Sequence, residues 1–375
     1  MSPVVAIRKC TSYARYEVEK AVHRLFHDSG GIEQHIRPGM SVLIKPNLLA
    51  PRKREEAVNT DPAVVRAVLK EVLRTGAKAV IGDSPGLGKA VKNADRCGIG
   101  AVAAEFGVPI IEFRDSIVVG KTREGGFPLE LAREALEAEV IINLPKLKTH
   151  AQMLMTLGVK NLFGCVVGKR KLQWHFKAGV NREAFARMLV EIYAALKPAL
   201  TLIDGIVGME GNGPGSGTPK PFGILAASTD AIALDTVIMT LMGMKPSRLA
   251  TIRAAGGINA GETSLKKIEV RGDSMESLRI PDLEVPQSSD LEWPLPGFLR
   301  KILKSSFTAY PEPDPKQCNL CRICLEACPQ QVIFVEKEQL AINTRRCIRC
   351  FCCQELCPRG AMKTRQGWLL KRLQK

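Results

Sequence analysis

The stretch SVLIKPNLLAPRKREEAVNTDPAVVRAVLKEVLRTGAKAVIGD runs from Ser41 to Asp83. Its two ends, SVLI (41–44) and KAVIG (78–82), are short and almost continuously apolar. Between them, DPAVVRAVLKEVLRTG (61–76) repeats apolar residues at the three-to-four spacing of a helix. Asp61 is placed to cap that helix, Pro62 to occupy its first position and Gly76 to end it. A strand, a helix and a second strand in this order form a crossover between parallel strands. Strands that lack polar alternation are buried on both faces, which is the habit of parallel sheets covered by helices.

Outward from this unit the pattern repeats. VVAI (4–7), VPIIEF (108–113), VIINLP (140–145), LTLIDG (200–205) and FGILAAS (222–228) have the same apolar character. NREAFARMLVEIYAALKP (181–198) predicts another helix, ended by Pro198. Residues 1–280 are therefore expected to form an α/β domain with a mainly parallel sheet. Residues 281–311 turn rich in Pro and Ser and predict a linker. Within it, FLRKILKSSF (298–307) predicts a short basic amphipathic helix that packs as a strut. Residues 312–375 read as a small α+β ferredoxin-like iron–sulfur domain with a basic tail.

The cysteines carry that last reading. Nine of the twelve fall within residues 318–357. CNLCRICLEACP places Cys318, Cys321, Cys324 and Cys328 at the C-x2-C-x2-C-x3-C-P spacing, and CIRCFCCQELCP repeats it with Cys347, Cys350, Cys353 and Cys357. This is the spacing of bacterial two-cluster ferredoxins, in which the fourth cysteine of each run serves the other cluster. Three thiolates on one tight loop reach three corners of a cubane, and the fourth corner needs a distant residue. Two 4Fe–4S clusters are expected: one on Cys318, Cys321, Cys324 and Cys357, the other on Cys347, Cys350, Cys353 and Cys328. Cys352 adds a further thiol to the second run and reads as a small buried residue. A disulfide scaffold would spread its cysteines through the chain, so the cluster also points to a reducing compartment.

Composition bounds the rest. The chain is 45% hydrophobic and 25% charged, the profile of a globular protein. No apolar run reaches the roughly 18 residues that span a bilayer. The N-terminal MSPVVAIRKCTSYARYEVEK is too polar for a secretory signal, so a cytoplasmic location is expected. The formal charge is +16. From Lys316 onward there are twelve Lys and Arg against four Glu, so half of that excess lies where anionic clusters are expected. With 5% aromatic residues and no recognised module, nucleic acid is not the expected partner.

Several strands end in polar residues. SVLI leads to Lys45 and Asn47, KAVIG to Asp83, and LTLI to Asp204 with Glu210 beyond. VIINLP leads to Lys146, Lys148 and His150, and then to Lys160 and Asn161. Open parallel sheets bind ligands outside the carboxyl ends of their strands. A shared pocket there would suit an anion: Lys45, Asn47, Lys146, Lys148, Lys160, Asn161 and Glu210 would bind it, while His150, Asp83 and Asp204 would move protons. Taken singly, each residue has a plainer reading. Asp83 and Asp204 can cap turns, Lys146 and Lys148 can form a solvated rim, His150 can be a satisfied loop residue, and Lys160–Asn161 can end a helix. EGNGPGSGTP (210–219) matches no nucleotide-binding motif and is expected to be a mobile flap, with a plain linker as the alternative.

VLIKPNLL, TDPAVVRAVL, GDSPG, NLPKLKTH, GVKNLFG, LIDGIVGMEGNGP and STDAIALD together resemble the bacterial and archaeal family labelled domain of unknown function 362. The resemblance covers roughly residues 4–270, and members often carry a C-terminal ferredoxin domain. It implies the domain layout and makes the motif loops, including Asp235, the place to look for a site. It implies no settled reaction. Two functions remain open. One is an iron–sulfur oxidoreductase that passes electrons to an anionic small molecule or cofactor in the α/β pocket. The alternative is an electron-transfer or assembly module whose basic surface receives an acidic redox partner protein.

Overall fold

The computed structural model describes residues 2–123, 125–168, 170–179, 181–280, 282–286 and 309–365. The expected amphipathic helix at 298–307 and the basic tail beyond 365 lie outside the described residues. The N-terminal half contains β1 (Val4–Lys9), α1 (Arg15–Asp28), β2 (Ser41–Pro46), α2 (Pro62–Arg74) and β3 (Lys78–Asp83). There follow α3 (Ala90–Cys97), α4 (Ile99–Phe106), β4 (Ile110–Glu112), β5 (Ser116–Lys121), β6 (Pro128–Ala132) and α5 (Arg133–Leu136). Next come β7 (Val140–Leu144), β8 (Lys146–His150), β9 (Leu154–Thr156), α6 (Gly158–Asn161), α7 (Arg170–Ala178) and α8 (Arg182–Leu196). β10 (Leu200–Glu210), β11 (Thr218–Ser228), α9 (Ala231–Leu241), α10 (Ala250–Gly256) and β12 (Glu269–Gly272) complete the larger domain.

The main sheet runs β12-β1-β11-β10-β7-β2-β3-β4. From β10 to β4 every pairing is parallel, whereas β11 is antiparallel to both β1 and β10. The fold is thus α/β, mainly parallel, with a mixed edge. The two-residue period of β2 shows how helices cover both faces. Val42 and Ile44 join a core with α1, α2, α3 and α4, and Leu43 joins the opposite core with α8 and α10. Helix α2 starts as its sequence predicts, with the Asp61 carboxylate accepting from the Ala63 N–H. Gly76 just beyond it has φ +80°, which an L side chain seldom adopts.

The small domain is built twice. β-Strands Tyr310–Pro313 and Met362–Arg365 pair antiparallel, and a hairpin joins Ile333–Glu336 to Gln339–Ile342. Each cysteine run enters a one-turn helix, Ile323–Glu326 or Cys352–Glu355. Both runs turn through the same left-handed residues: Leu320 and Arg322 at φ +55° and +64°, Arg349 and Phe351 at +56° and +59°. The sequence repeat is therefore also a backbone repeat, curling three thiols around each loop.

The small domain docks on the loop between β10 and β11, expected to be a flap. The Gln354 side-chain amide donates to the Asn212 Oδ1 at 2.8 Å and to the Asn212 and Gly213 carbonyls at 3.0 Å. Arg52 donates to the Cys357 carbonyl, and Asn212 to the Met362 carbonyl. Phe351 is buried with Ala151 and Ala309. Glycine-rich backbone at 211–217 lets the two surfaces approach: a Cβ on Gly215 would stand 3.0 Å from the Glu355 carbonyl. Gln354→Leu leaves buried acceptors on Asn212 and Gly213 without this donor, a cost of about 1–3 kcal/mol. Hydrogen exchange should then accelerate at 211–217 and 351–357 while the cysteine loops keep their cluster absorption; unchanged exchange there would refute the latch.

Candidate functional site

A cavity of ≈ 50 Å³ opens at the carboxyl ends of β2, β3 and β8, where the sheet meets the small domain. Lys45, Asn47, Asp83, Lys148, Lys160 and Asn161 line it, so six of the expected site residues converge. Thr156, Ser84, Lys171 and Glu355 line it too and were not among them.

Strand pairing sets this arrangement. Lys45 continues the inward face of Leu43 past the apolar core, and its ammonium donates to Asp83 Oδ1 at 3.0 Å. The same carboxylate accepts from the Leu48 and Ser84 N–H groups. Lys148 and Thr156 are cross-strand partners in β8 and β9, so their side chains share one face. Lys148 donates to Asn47 Oδ1 and to the Val58 carbonyl. Asn47 in turn donates to Asn161, and Asn161 to Asn143 at the end of β7. Asp235 receives the Gly158 and Val159 N–H groups, which fixes α6 and with it Lys160. Burial pushes the Asp235 carboxyl up to about 7.

Burial has the opposite effect on the ammoniums. Lys148, fully buried, is lowered to about 7, chiefly by desolvation. Lys171 donates to Ser84 Oγ and is lowered to about 8 for the same reason. Lys160 is also lowered by burial, and its ammonium lies 4.9 Å from the Phe163 ring centre. Among the described residues, that ammonium has no hydrogen-bond or ion-pair partner. Thr156 Oγ1 is buried and equally unpartnered.

The other expected residues sit elsewhere. Lys146 donates to Asp204 at 2.7 Å and to the Tyr13 hydroxyl at 2.8 Å. Asp204 also accepts from Tyr13 and from the Asp61 N–H. Arg54 ion-pairs with Asp61 and stacks over Tyr13, closing a separate, saturated network. Glu210 pairs with Lys220 and accepts the Glu284 N–H. His150 lies behind the cavity wall. Its Nδ1 faces the N–H groups of Gln152 and Met153 as acceptor, so its proton rests on Nε2, 3.7 Å from Glu355. Desolvation holds its pKa well below the usual range, leaving it neutral.

Glu355 is the residue that local reasoning could not reach, because it stands between two cluster cysteines. Lys171 lay in a basic run, GKRKLQWH, that reads as a solvated helix. Thr156 had no signal beyond its closeness to Lys148 and Lys160.

In the small domain, Cys318, Cys321, Cys324 and Cys357 line one cavity, and Cys328, Cys347, Cys350 and Cys353 line another. Among the described residues no three His, Cys, Asp or Glu side chains close around a single metal ion. A cubane holds its thiolates farther apart than one ion does, and these cavities have the donor set it requires. Cys352 is buried beside them.

Comparison with known proteins follows this division. A family model described as "Domain of unknown function (DUF362)" matches residues 42–240, and one described as "4Fe-4S dicluster domain" matches residues 310–358. The "Thylakoid-associated protein sll1697" of Synechocystis sp. is 38% identical over 311 residues, which cover 82% of this chain and 95% of that protein. An uncharacterized protein of Methanocaldococcus jannaschii, MJ0749, is 41% identical over 49 residues, 13% of this chain and 18% of that one. Among solved structures, the lactate racemase apoprotein from Thermoanaerobacterium thermosaccharolyticum aligns with a TM-score of 0.43 at 12% identity, covering 62% of this chain and 55% of the other. Among the described residues no helix is long and apolar enough to cross a membrane.

A Cβ on Gly164 would come 2.5 Å from the Lys45 ammonium and closer still to the Asp83 carboxylate. Gly164→Ala should therefore split the buried pair and lower the thermal midpoint; a variant as stable as wild type would disprove the contact. Lys148 sets a pH dependence. Between about pH 7 and its ordinary value of 10.5, the unfolded chain binds a proton that the folded chain does not. Stability from this residue therefore rises with pH across that window and is flat below it, with a slope of at most about 1.4 kcal/mol per pH unit. Lys148→Met should reduce the slope measured by denaturant titration between pH 7 and 10; an identical slope would refute the assignment.

Proposed function

Since the chain belongs to the DUF362 family and carries a 4Fe–4S dicluster domain, we propose that this iron–sulfur protein is an oxidoreductase whose two clusters feed electrons to a small anion in the lysine-lined cavity. One observation carries the proposal: the one-turn helix Cys352–Glu355 serves both sites. Cys353 lines the second cysteine cavity, and Glu355, two residues on, lines the lysine cavity.

When bound, each cluster supplies one electron at a time, so the pair matches a two-electron reduction fed by an external reduced donor. The protein's own residues prepare the cavity. Lys160, Lys148 and Lys171 hold the anion and stabilise negative charge that grows as electrons arrive. Their lowered pKa values place Lys148 and Lys171 near neutrality, where an ammonium can release a proton to a reduced product. The Lys45–Asp83 pair and the asparagine chain keep the wall rigid. The Lys146–Asp204–Tyr13 network is scaffold in this reading.

The test is anaerobic. Holoprotein with chemically reduced clusters is mixed with a panel of small carboxylates and inorganic oxoanions, and cluster absorption is followed. The expected outcome is reoxidation by at least one anion, slowed about tenfold or more in Lys160→Met. Reoxidation by acceptor proteins alone would overturn the proposal in favour of an electron-transfer module, with the acidic partner protein as the acceptor.

A further inference from the structure

Three polar groups at the cavity lack a hydrogen-bond partner among the described residues, and they differ in kind. Lys160 offers three N–H donors. Thr156 offers a hydroxyl. Glu355 offers only acceptors: its carboxylate accepts no hydrogen bond, and the neutral His150 imidazole stands 3.7 Å away, beyond hydrogen-bond reach. The side chain is 15% exposed, so it is held at the cavity rather than extended into solvent.

The remaining charges are already matched. Asp83 is saturated by Lys45 and two backbone N–H groups. Lys148 and Lys171 each spend two donors on protein acceptors. Beyond these, the cavity has surplus donors on Lys160, Lys148 and Lys171 and a single unused carboxylate. A bare oxyanion would satisfy the donors and leave Glu355 opposed by a second negative charge. A dianion would worsen that repulsion. A ligand with an oxyanion at one end and a donor at the other satisfies both.

Resting on the reading that the cavity binds an anion, we infer that its ligand is a small monoanion bearing a hydroxyl or amino group. The oxyanion faces Lys160 and Thr156, and the donor faces Glu355. Glu355 is thereby a specificity residue that the cluster domain contributes to the other domain's site. The ≈ 50 Å³ cavity has room for a small ligand of this kind.

The test measures binding, not turnover, on oxidised full-length holoprotein. Acetate, glycolate and oxalate are titrated by calorimetry at pH 6.5, on the acid side of the lowered Lys148 pKa of about 7, where its ammonium is mostly protonated. Glycolate is expected to bind about tenfold or more tightly than acetate, with oxalate weaker than glycolate. Glu355→Gln keeps an acceptor and removes the charge, so oxalate should gain about tenfold and glycolate little. Glu355→Leu should erase the advantage of glycolate over acetate. Cluster absorption and thermal midpoint establish that both variants are folded. Equal binding of glycolate and acetate by wild type, or an advantage that survives Glu355→Leu, overturns the inference and leaves the anion cavity standing. Failure of all three to bind, with Lys160→Met indistinguishable from wild type, overturns the inference and the anion reading together.

Discussion

The ion pair between Lys45 and Asp83 is the constraint on which the site depends. Both side chains are almost wholly excluded from solvent, at the ends of neighbouring parallel strands. Removing two charges from water costs several kcal/mol for each, and the cost is recovered only where geometry and further hydrogen bonds are good. Here the Leu48 and Ser84 amides complete the carboxylate shell, and the Pro46 carbonyl takes a second ammonium proton. Gly164 must lack a side chain because the pair occupies the space a Cβ would need. One pair therefore fixes the loops after β2 and β3 and the turn that follows α6. Those are three of the walls of the cavity.

Docking of the small domain explains why the neighbouring lysines behave as they do. Desolvation is the largest cause of the lowered pKa of Lys148, Lys160 and Lys171. Glu355 opposes it at all three, and Cys352 at Lys160. The cluster domain thus helps cover the ammoniums and also supplies the carboxylate that partly compensates them. A site made of poorly solvated cations interacts strongly with an entering anion, because little water must be displaced from them. The latch through Gln354 makes this arrangement a property of the intact chain rather than of either domain.

Much of this was legible in the sequence. The buried strands, the Asp61–Pro62 start of α2 and the cysteine spacing depend on local chemistry that a linear pattern records. Lys45, Asn47, Asp83 and Lys148 were legible as strand-end residues because a parallel sheet brings its carboxyl ends together, and Lys160 and Asn161 stand on the short helix α6 that follows them. Lys146 shows the limit. It stands two residues from Lys148 on one strand and was grouped with it. The β8–β10 register slips between Asp204/Lys146 and Met209/Lys148, so β10 holds Lys146 at Asp204 while Lys148 reaches the cavity. β8 itself reads as a solvated rim because Lys and His at alternating positions mark an exposed face. They are buried here because partners on β2, β10 and the cluster domain meet them. No local pattern contains those partners, and Glu355, separated from Lys148 by more than two hundred residues, is the extreme case.

Hydrogen-bond satisfaction distinguishes scaffold from site where residue type does not. Both regions are built from buried lysines and carboxylates. In the Tyr13–Lys146–Asp204 network each charged group meets its complement: the ammonium has a carboxylate and a hydroxyl, and the carboxylate has three kinds of donor. Buried polar groups are ordinarily satisfied in this way, since an orphan costs about 1–3 kcal/mol. The cavity departs from that rule at Thr156, whose buried hydroxyl has no partner, and beside it Lys160 and Glu355 reach the same small volume without a hydrogen-bond partner among the described residues. That the exceptions are complementary, donors at one wall and an acceptor at another, is the physical reason to assign the cavity a ligand of matching polarity and the saturated network a structural role.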